Sequence, residues 1–299
     1  MSTAQRVFHG KFGRVALLDM DRPLVTHSHH ECHVLVKASG ADTFFNVNGR
    51  QVPLTDRCAV LVNAWQPHYY DFQPGAEQTQ ILALYIEPAW LAEAQQSLAL
   101  SAHPGFFSHP CIELSSKNRA MADRLIAEAY SAGLLPREQI EFLLFDFLIE
   151  LIEDFSQWKQ LRRLGAQTRQ GFRDARIRRA CDYLQTYLDD PDCLNNAAKA
   201  AGLSRAHFFT LFRQDTGMTP TLVLNDARMR RAFLWLEHER SRTLGQLSES
   251  LGFSEQGHFT RFFRQHIGAS PSQYRRVVDS YDMSRKSIFN GSFDVSYRT

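Results

Sequence analysis

One short motif occurs twice in the C-terminal third of the chain, and this repeat limits the possible folds more than any other feature. The first copy begins at Ala201 and reads AGLSRAHFFTLFRQ, with GMTP shortly after it. The second begins at Leu251 and reads LGFSEQGHFTRFFRQ, with GASP shortly after it. One extra residue in the second copy shifts the alignment, after which the histidine, phenylalanines, glycine and proline coincide. Such a match indicates two copies of one supersecondary element.

Each copy has the features of two helices joined by a tight turn. Gly202 and Gly252 follow the first helix of each pair, where glycine adopts a left-handed conformation at low cost. Ser204 and Ser254 come next, and a serine there caps the second helix by accepting one of its free N–H groups. In the second copy, a threonine and a glutamine three residues apart also fit a capping box at the start of its first helix. The first helices are expected at 194–201 and 244–251.

The second helix of each copy carries two phenylalanines four residues apart, which places both rings on one buried face. These are Phe208 and Phe212 in the first copy, and Phe259 and Phe263 in the second. A glycine with a proline beyond it then ends the helix. A helix, a glycine turn and a capped helix form the helix-turn-helix, whose second helix enters the major groove of DNA. The sequence therefore predicts two DNA-reading units, joined by an arginine-rich helix at about 221–239.

The charge distribution supports a polyanionic partner for this region alone. Residues 173–276 contain 16 Lys and Arg against 11 Asp and Glu, and all of the basic residues except Lys199 are arginine. The rest of the chain has an acidic excess, so the net charge of the whole chain is only +2. Arginine suits phosphate groups and base edges. The alternative is a solvated, arginine-rich helical surface.

The N-terminal part has the pattern of a small β-structure. Short runs rich in branched and aromatic residues alternate with turn residues, as strands do. Asn48-Gly49 lies between two such runs and suits the positive φ angles of a two-residue hairpin. Strands at this spacing predict a sandwich or small barrel. The expected strands are 15–18, 33–36, 43–47, 58–62 and 79–86, with a hairpin partner at 51–52.

Helices are expected after the strands, at 88–98, 117–131 and 136–163. The last has a broad apolar stripe that should cover the β-structure. Phe142, Phe145 and Ile149 add apolar surface outside this stripe, which predicts a dimer interface. The alternative is one helix buried on several sides within a single chain. The stripe consists of Ile140, Leu143, Leu144, Phe147, Leu148, Leu151, Ile152 and Phe155.

Composition excludes several other classes of protein. No stretch reaches the roughly 18 uncharged apolar residues of a membrane helix. The 5 cysteines are widely spaced and form no C-x-x-C pair, which argues against a disulfide framework or a zinc finger and favours a reduced, cytoplasmic protein. The chain has 299 residues, of which 44% are apolar. This length and apolar content are enough for two or three domains, each with its own core.

From 173 to 278 the chain resembles the AraC-type transcriptional regulators. The resemblance rests on the phenylalanine-rich segment from Ser254 to Tyr274 with its glycine–proline stop, and on the preceding pattern Arg228-Met229-x-x-Ala232-x-x-Leu236. The N-terminal half resembles, more loosely, the family's cupin-like sensor with dimerising helices. The implied fold class is α+β multidomain: an N-terminal cupin-like β-barrel with dimerising helices, then a C-terminal all-α domain with two helix-turn-helix motifs. The implied organisation is a sensor and dimerisation domain at 1–164, a linker at 165–172, a DNA-binding domain at 173–278 and a mobile tail at 279–299.

The resemblance also implies a function and a set of partners. A homodimer would bind direct-repeat sites in double-stranded DNA, act on transcription by RNA polymerase, and respond to a small-molecule effector as activator or repressor. It would be neither an enzyme nor a membrane protein. No cofactor is expected, and a divalent metal ion is the open alternative.

Helix geometry indicates which residues face DNA, namely those near the start of each second helix and opposite its phenylalanines. By resemblance, Ala206, Phe209 and Thr210 fill the base-reading positions of the first unit. Gln256, Gly257 and Arg261 fill those of the second, where arginine suits guanine and glutamine suits adenine. The alternatives are a core contact for Phe209 and a phosphate contact for Arg261. The complete predicted set is Arg205, Ala206, Phe209, Thr210, Arg213, Glu255, Gln256, Gly257, Thr260, Arg261 and Arg264.

A histidine-rich run is the candidate sensor site. In an extended strand His27, His29, Glu31 and His33 would share one face. By resemblance to metal-binding cupins, His27, His29 and His68 match ligand positions, while His33 stands where a glutamate belongs. The histidines are interpreted either as structural or effector-binding groups, or as ligands for zinc, copper, nickel or iron. The metal interpretation allows a cupin enzyme or a metal sensor fused to a DNA-binding module. The predicted effector pocket comprises His27, His29, His33, Trp65, His68 and Tyr70, with an ordinary aromatic core as the alternative.

Overall fold

The chain folds into an N-terminal domain of two β-sheets and helices, followed by a C-terminal domain of helices. The computed structural model describes residues 3–72, 75, 77–131, 137–163, 174–239 and 241–280. The predicted linker at 165–172 lies outside the described residues. This architecture confirms the α+β multidomain fold class with two C-terminal helix-turn-helix units.

Ten described strands form a seven-stranded and a three-stranded sheet. The larger has the order β10-β1-β2-β8-β3-β6-β9, and the smaller has the order β5-β4-β7. The hairpin at Asn48-Gly49 is confirmed, with φ angles of 51° and 82° between β4 and β5. The strands are β1 (Thr3–Gly10), β2 (Gly13–Met20), β3 (Cys32–Gly40), β4 (Thr43–Val47), β5 (Arg50–Leu54), β6 (Cys58–Val62), β7 (His68–Tyr70), β8 (Thr79–Ile86), β9 (Cys111–Glu113) and β10 (Val278–Ser280).

Four of these strands were not predicted from the sequence: β1, β7, β9 and β10. Three of them contain only three residues, too few to show a periodic pattern. β10 follows the last helix of the C-terminal domain and pairs in parallel with β1, so Val278 lies opposite Val7. Asp279 and Ser280 therefore belong to a strand rather than to the predicted tail, and the rest of that tail lies outside the described residues.

The helical predictions hold except at 88–98 and 136–163. In the first of these regions the α-helix ends at Ala94, and a 3-10 helix follows from Gln96 to Ala102. In the region 136–163 the chain forms two helices, because the last helical bond of the first helix is made by Ser156 and the Gln157 N–H bonds outside the helix. The Ser156 hydroxyl donates to the carbonyl of Ile152 at 2.6 Å, and the Gln157 N–H donates to the carbonyl of Phe106 at 2.8 Å. The helices are α1 (Pro88–Ala94), α2 (Ser116–Tyr130), α3 (Arg137–Phe155), α4 (Trp158–Arg163), α5 (Ala175–Thr186), α6 (Cys193–Ala200), α7 (Arg205–Thr216), α8 (Pro220–His238), α9 (Leu244–Ser250), α10 (Gln256–Ile267) and α11 (Pro271–Val277), with a 3-10 helix at Gln96–Ala102.

Successive side chains of a strand point to opposite faces of the sheet. Because apolar side chains occupy both faces of the larger sheet, a core forms on each face. One face packs against helices α1 to α4, including the predicted stripe of α3. The other face packs against the smaller sheet, and its cluster continues into the C-terminal domain through Phe233, Phe263 and Tyr274. A third cluster lies within the first helix-turn-helix unit. The second unit therefore shares its core with the sensor domain, whereas the first has a core of its own.

The two helix-turn-helix units are α6–α7 and α9–α10, as the repeat predicts. Gly202 and Gly252 make the turns with φ angles of 68° and 71°, and glycines in the same conformation end α7 and α10. The predicted cap by Ser204 is confirmed, since its hydroxyl accepts from the N–H of His207. The predicted cap by Ser254 is wrong. The extra residue of the second copy moves the cap position to Glu255, whose side chain makes no capping bond.

The two turn glycines provide a matched test of this packing. An alanine at either position costs about 1–2 kcal/mol for its left-handed backbone. At Gly202 a Cβ atom would meet nothing within 4 Å, but at Gly252 it would lie 2.6 Å from the carbonyl oxygen of Leu188. We expect Gly252→Ala to lower the free energy of unfolding by about 1–3 kcal/mol more than Gly202→Ala, measured by denaturant titration. Equal losses would contradict the close approach.

Candidate functional site

The first recognition helix, α7, presents most of its predicted DNA contacts to solvent. Arg205, Ala206, Thr210 and Arg213 are exposed on the side away from the buried phenylalanines. Phe209 is half-buried and packs against the core of the first unit. The guanidinium of Arg205 lies 5.5 Å from the centre of the Phe209 ring. Phe209 therefore contributes to the core while part of its ring stays accessible on the same surface.

The second recognition helix, α10, is open at its start and held at its end. The backbone N–H of Val25, in the loop before β3, donates to the carbonyl of Gln265 at 3.2 Å. The N-terminal half of α10 is free of such contacts with the sensor domain among the described residues, and this is the half that reads bases in a helix-turn-helix. Of the predicted contacts, Glu255, Gln256, Gly257 and Arg261 are exposed, while Thr260 and Arg264 are half-buried.

The structure brings the predicted histidines together, although not by the predicted strand. β3 begins only at Cys32, so the preceding segment is not a continuous strand. His27 instead forms an isolated antiparallel bridge with His68, and His29 and His68 lie with ring centres 4.9 Å apart. One ring nitrogen each from His27, His29 and His68 lies within 4.8 Å of the others. His33 joins the group, with its Nδ1 3.4 Å from Nε2 of His68.

Burial sets the protonation state of these imidazoles. Desolvation lowers the pKa of His68 to about 3, helped by the neighbouring His29. Desolvation and the facing imidazoles also hold the pKa values of His27 and His33 well below the usual value. His33 also stacks on Tyr85, with ring centres 4.0 Å apart. These three rings are therefore neutral at pH 7.

Glu31 does not point into the histidine group and instead belongs to a charged cluster between the domains. Its carboxylate lies 3.1 Å from Nδ1 of His29 and 3.3 Å from Nδ1 of His30. His30 also contacts Glu87 at 2.8 Å and, across the domain boundary, Asp226 of α8 at 3.2 Å. Burial would lower the pKa of His30, but these carboxylates outweigh burial and raise it to about 10. Sequence reasoning did not find this cluster, because Asp226 is 196 residues from His30 in the chain.

A cavity of about 80 Å³ adjoins both groups at the domain boundary. Its walls include His27 and His29 from the sensor domain, together with Met229, Phe233 and His266 from the helical domain. The volume is far below the roughly 300 Å³ or more of a site for a drug-sized organic ligand. As it stands, the cavity accommodates an ion or a few water molecules.

Two of the predicted pocket residues, Trp65 and Tyr70, do not line this cavity. Tyr70 is completely buried between the two sheets, where its hydroxyl accepts a hydrogen bond from Thr43 at 3.2 Å. Trp65 packs against the core of the first helix-turn-helix unit and has a positive φ of 61°. Tyr70 therefore fits the aromatic-core alternative, and Trp65 is a contact between domains.

The three residues of α3 predicted for a dimer interface differ in exposure. Phe142 is 51% exposed. Phe145 and Ile149 are half-buried and pack against the core beneath the helix, where Phe145 meets Trp90 edge-on at 5.8 Å.

Among the described residues, no helix is both long and apolar enough to cross a membrane.

Comparison with protein families identifies two matching domain models. Residues 22–148 match the AraC-like ligand binding domain, and residues 197–277 match a helix-turn-helix domain. Together the two matches cover more than two thirds of the chain. The first includes every histidine of the sensor site, and the second includes both recognition helices.

Over most of its length the chain is similar to regulators of transcription. The arabinose operon regulatory protein of Salmonella typhimurium is 26% identical over 86% of this chain and 86% of its own length. The transcriptional activator RhaS of Citrobacter koseri is 24% identical over 84% of this chain and 88% of its own length. Among solved structures, an apo variant of ToxT from Vibrio cholerae covers 90% of this chain and 98% of that chain, with a TM-score of 0.55 and 10% identity. This last match supports the fold alone.

The charged cluster at the domain boundary predicts a stability effect. The Asp226 side chain is 2% exposed and lies 3.2 Å from His30 and 3.0 Å from Arg230. At pH 7 His30 is charged, so Asp226→Asn should lower the free energy of unfolding by about 1–3 kcal/mol in denaturant titration. Asp182→Asn, an exposed position on α5, is the matched control and should change stability by less than about 0.5 kcal/mol. Equal effects of the two substitutions would contradict a stabilising cluster.

Proposed function

Because the chain belongs to the AraC-type family of transcriptional regulators, we propose that it binds direct-repeat promoter sites in double-stranded DNA as an effector-controlled homodimer. Acting in the cytoplasm, the bound dimer would promote or hinder transcription by RNA polymerase. We propose no catalytic activity. The effector would bind the sensor domain at the histidine group, His27, His29, His33 and His68, beside the domain boundary.

One observation carries the proposal: the helical domain contains two recognition helices whose N-terminal halves are exposed. α7 offers Arg205, Ala206 and Thr210, and α10 offers Gln256 and Arg261. Each helix is held from behind by two fully buried phenylalanines and ends at a left-handed glycine. Buried support behind an exposed N-terminal half is what a helix that enters a major groove requires, so this arrangement supports the proposal.

The two helices differ in the chemistry that they offer to a base pair. α10 carries a glutamine and an arginine, which suit hydrogen-bonding edges of adenine and guanine. α7 offers Ala206, Thr210 and the accessible part of Phe209, which suit the methyl group of thymine. The second unit would therefore read by hydrogen bonds and the first mainly by apolar contact and DNA shape.

Base reading by Arg261 is tested by comparing a promoter fragment with scrambled DNA. Arg261→Ala should reduce the discrimination between them by about 1–3 kcal/mol, because the contact to a specific base edge is lost. Fluorescence anisotropy at fixed salt measures both affinities. Arg162→Ala removes an equal charge from an exposed site on α4 and should leave the ratio unchanged. An equal loss of affinity on both DNAs would show a phosphate contact instead.

Dimerisation through α3 is tested with a charged substitution at its most exposed ring. Phe142→Asp should convert the protein to a monomer and weaken binding to a promoter fragment with two half-sites, because a buried carboxylate opposes association. Tyr187→Asp is the matched control, since Tyr187 is 50% exposed but lies on the helical domain. Analytical ultracentrifugation gives the mass. A dimer that persists in Phe142→Asp would exclude this interface.

A further inference from the structure

The histidine group of the sensor domain is built as a metal site is built. In metal proteins a ligating imidazole usually donates its second N–H to a carbonyl or carboxylate, which fixes the ring and its tautomer. Nδ1 of His27 lies 2.9 Å from the carbonyl of Val25, and Nδ1 of His68 lies 2.8 Å from that of Gln66. Nδ1 of His29 faces both the carbonyl of Glu31, at 3.2 Å, and its carboxylate, at 3.1 Å.

Since Nδ1 of each ring faces an acceptor, Nε2 of each ring carries the lone pair, and that of His68 faces Nδ1 of His33 at 3.4 Å. Nε2 of His29 is buried and has no hydrogen-bond partner among the described residues. A buried nitrogen of this kind is costly unless something occupies the space before it. The three rings lie with centres 4.4 to 5.9 Å apart. One ring nitrogen of each lies within 4.8 Å of the others, so the three rings bring a nitrogen to the same place.

His33 lies where a fourth ligand belongs. Its Nδ1 is 3.4 Å from Nε2 of His68. Two nitrogens at the usual zinc–nitrogen distance from one tetrahedral ion are about 3.3 Å apart. His33 is 2% exposed, and its Nε2 has no partner in the described part of the chain. The pair therefore already has the spacing of two imidazoles on one ion.

We propose that His27, His29 and His68 bind one divalent transition-metal ion of the zinc class through Nε2, with His33 at the fourth position. Neutral imidazoles are suitable ligands for Zn²⁺, Cu²⁺, Ni²⁺ and Fe²⁺, whereas Mg²⁺ and Ca²⁺ prefer oxygen. Glu31 positions the His29 ring and is not itself a ligand. This histidine site is distinct from the charged cluster at the domain boundary, which consists of His30, Glu31 and Asp226.

The proposed metal site lies beside the C-terminal end of α10, in the second DNA-reading unit. The His27 ring lies 5.9 Å from that of His266, near the end of α10. Two residues before His27, the backbone N–H of Val25 donates to the carbonyl of Gln265. Met20 also packs closely against Gly268, since its sulfur would lie only 3.1 Å from a Cβ atom there. A shift of the loop that carries His27 must therefore move the end of α10. On the proposed function, metal binding would change the affinity for DNA.

The site is tested on the full chain, purified without a histidine tag and stripped of metal with a chelator. Titration with Zn²⁺ alone should give one ion per chain, and Co²⁺ should give the visible absorption of a four-coordinate site. His27→Gln and His29→Gln should each weaken Zn²⁺ binding by more than about 100-fold. His30→Gln is the matched control, because it changes a neighbouring histidine in the other group and should retain the ion.

Three results would overturn the site: no stoichiometric ion on the wild-type chain, undiminished binding in both ligand variants, or loss of the ion in His30→Gln alone. Unfolding of the metal-free variants is measured in parallel, so that a folding defect is recognised. The ring-proton NMR signals of the wild-type protein provide a second readout. On adding Zn²⁺, the signals of His27, His29 and His68 should shift, and shifts confined to other histidines would also overturn the site.

The regulatory consequence has its own readout, the affinity for a promoter fragment with and without Zn²⁺. We expect a change of about 5-fold or more in the wild-type protein and none in His29→Gln. An unchanged wild-type affinity would overturn the coupling to α10. A protein that prefers no promoter fragment in either state would contradict the proposed function instead, whereas the Zn²⁺ titration needs no DNA and is decided separately.

Discussion

The structure depends on a buried cluster that the sensor domain and the second helix-turn-helix unit share. Arg14 of β2 lies between the rings of Tyr85 and Phe233, with its guanidinium carbon 3.6 and 4.0 Å from their centres. Beside it, His9 contacts Glu237 of α8 at 3.0 Å and also bonds to the Tyr274 hydroxyl. A cation stacked between two rings on different domains is stable only while both surfaces stay in place. The two domains are therefore joined by a core rather than by a polar contact alone.

This core makes the two DNA-reading units unequal. Phe259 and Phe263 of the second unit belong to the same cluster as the barrel strands, whereas Phe208 and Phe212 of the first unit lie in a separate one. Packed side chains thus connect the N-terminal domain to α10, and Trp65 contacts the core of the first unit. The chemistry follows the same division, since the more polar recognition surface belongs to the unit fixed to the sensor.

The histidine site shows where sequence reasoning succeeded and where it failed. His27, His29, His33 and His68 were singled out correctly as one group, although the assumed strand does not exist. A bridge between His27 and His68 and a bend before β3 bring the rings together. Glu31 lies outside the group, where its carboxylate contacts Nδ1 of both His29 and His30. Spacing in a sequence gives the face of a residue only while the backbone stays regular, so the group was predictable and its geometry was not.

The amino-acid sequence by itself determined the elements with local causes: the repeated units, their glycine turns, the hairpin at Asn48-Gly49 and the apolar stripe of α3. Each depends on residues within a few positions of one another, so propensity, capping and periodicity are enough to specify it. Only the tertiary structure decided the pairing of β1 with β10, the meeting of His30 with Asp226 and the removal of Trp65 and Tyr70 from the cavity. Those contacts join residues far apart in the chain, and they form because buried apolar surface and buried charge must find partners wherever the packed domains offer them.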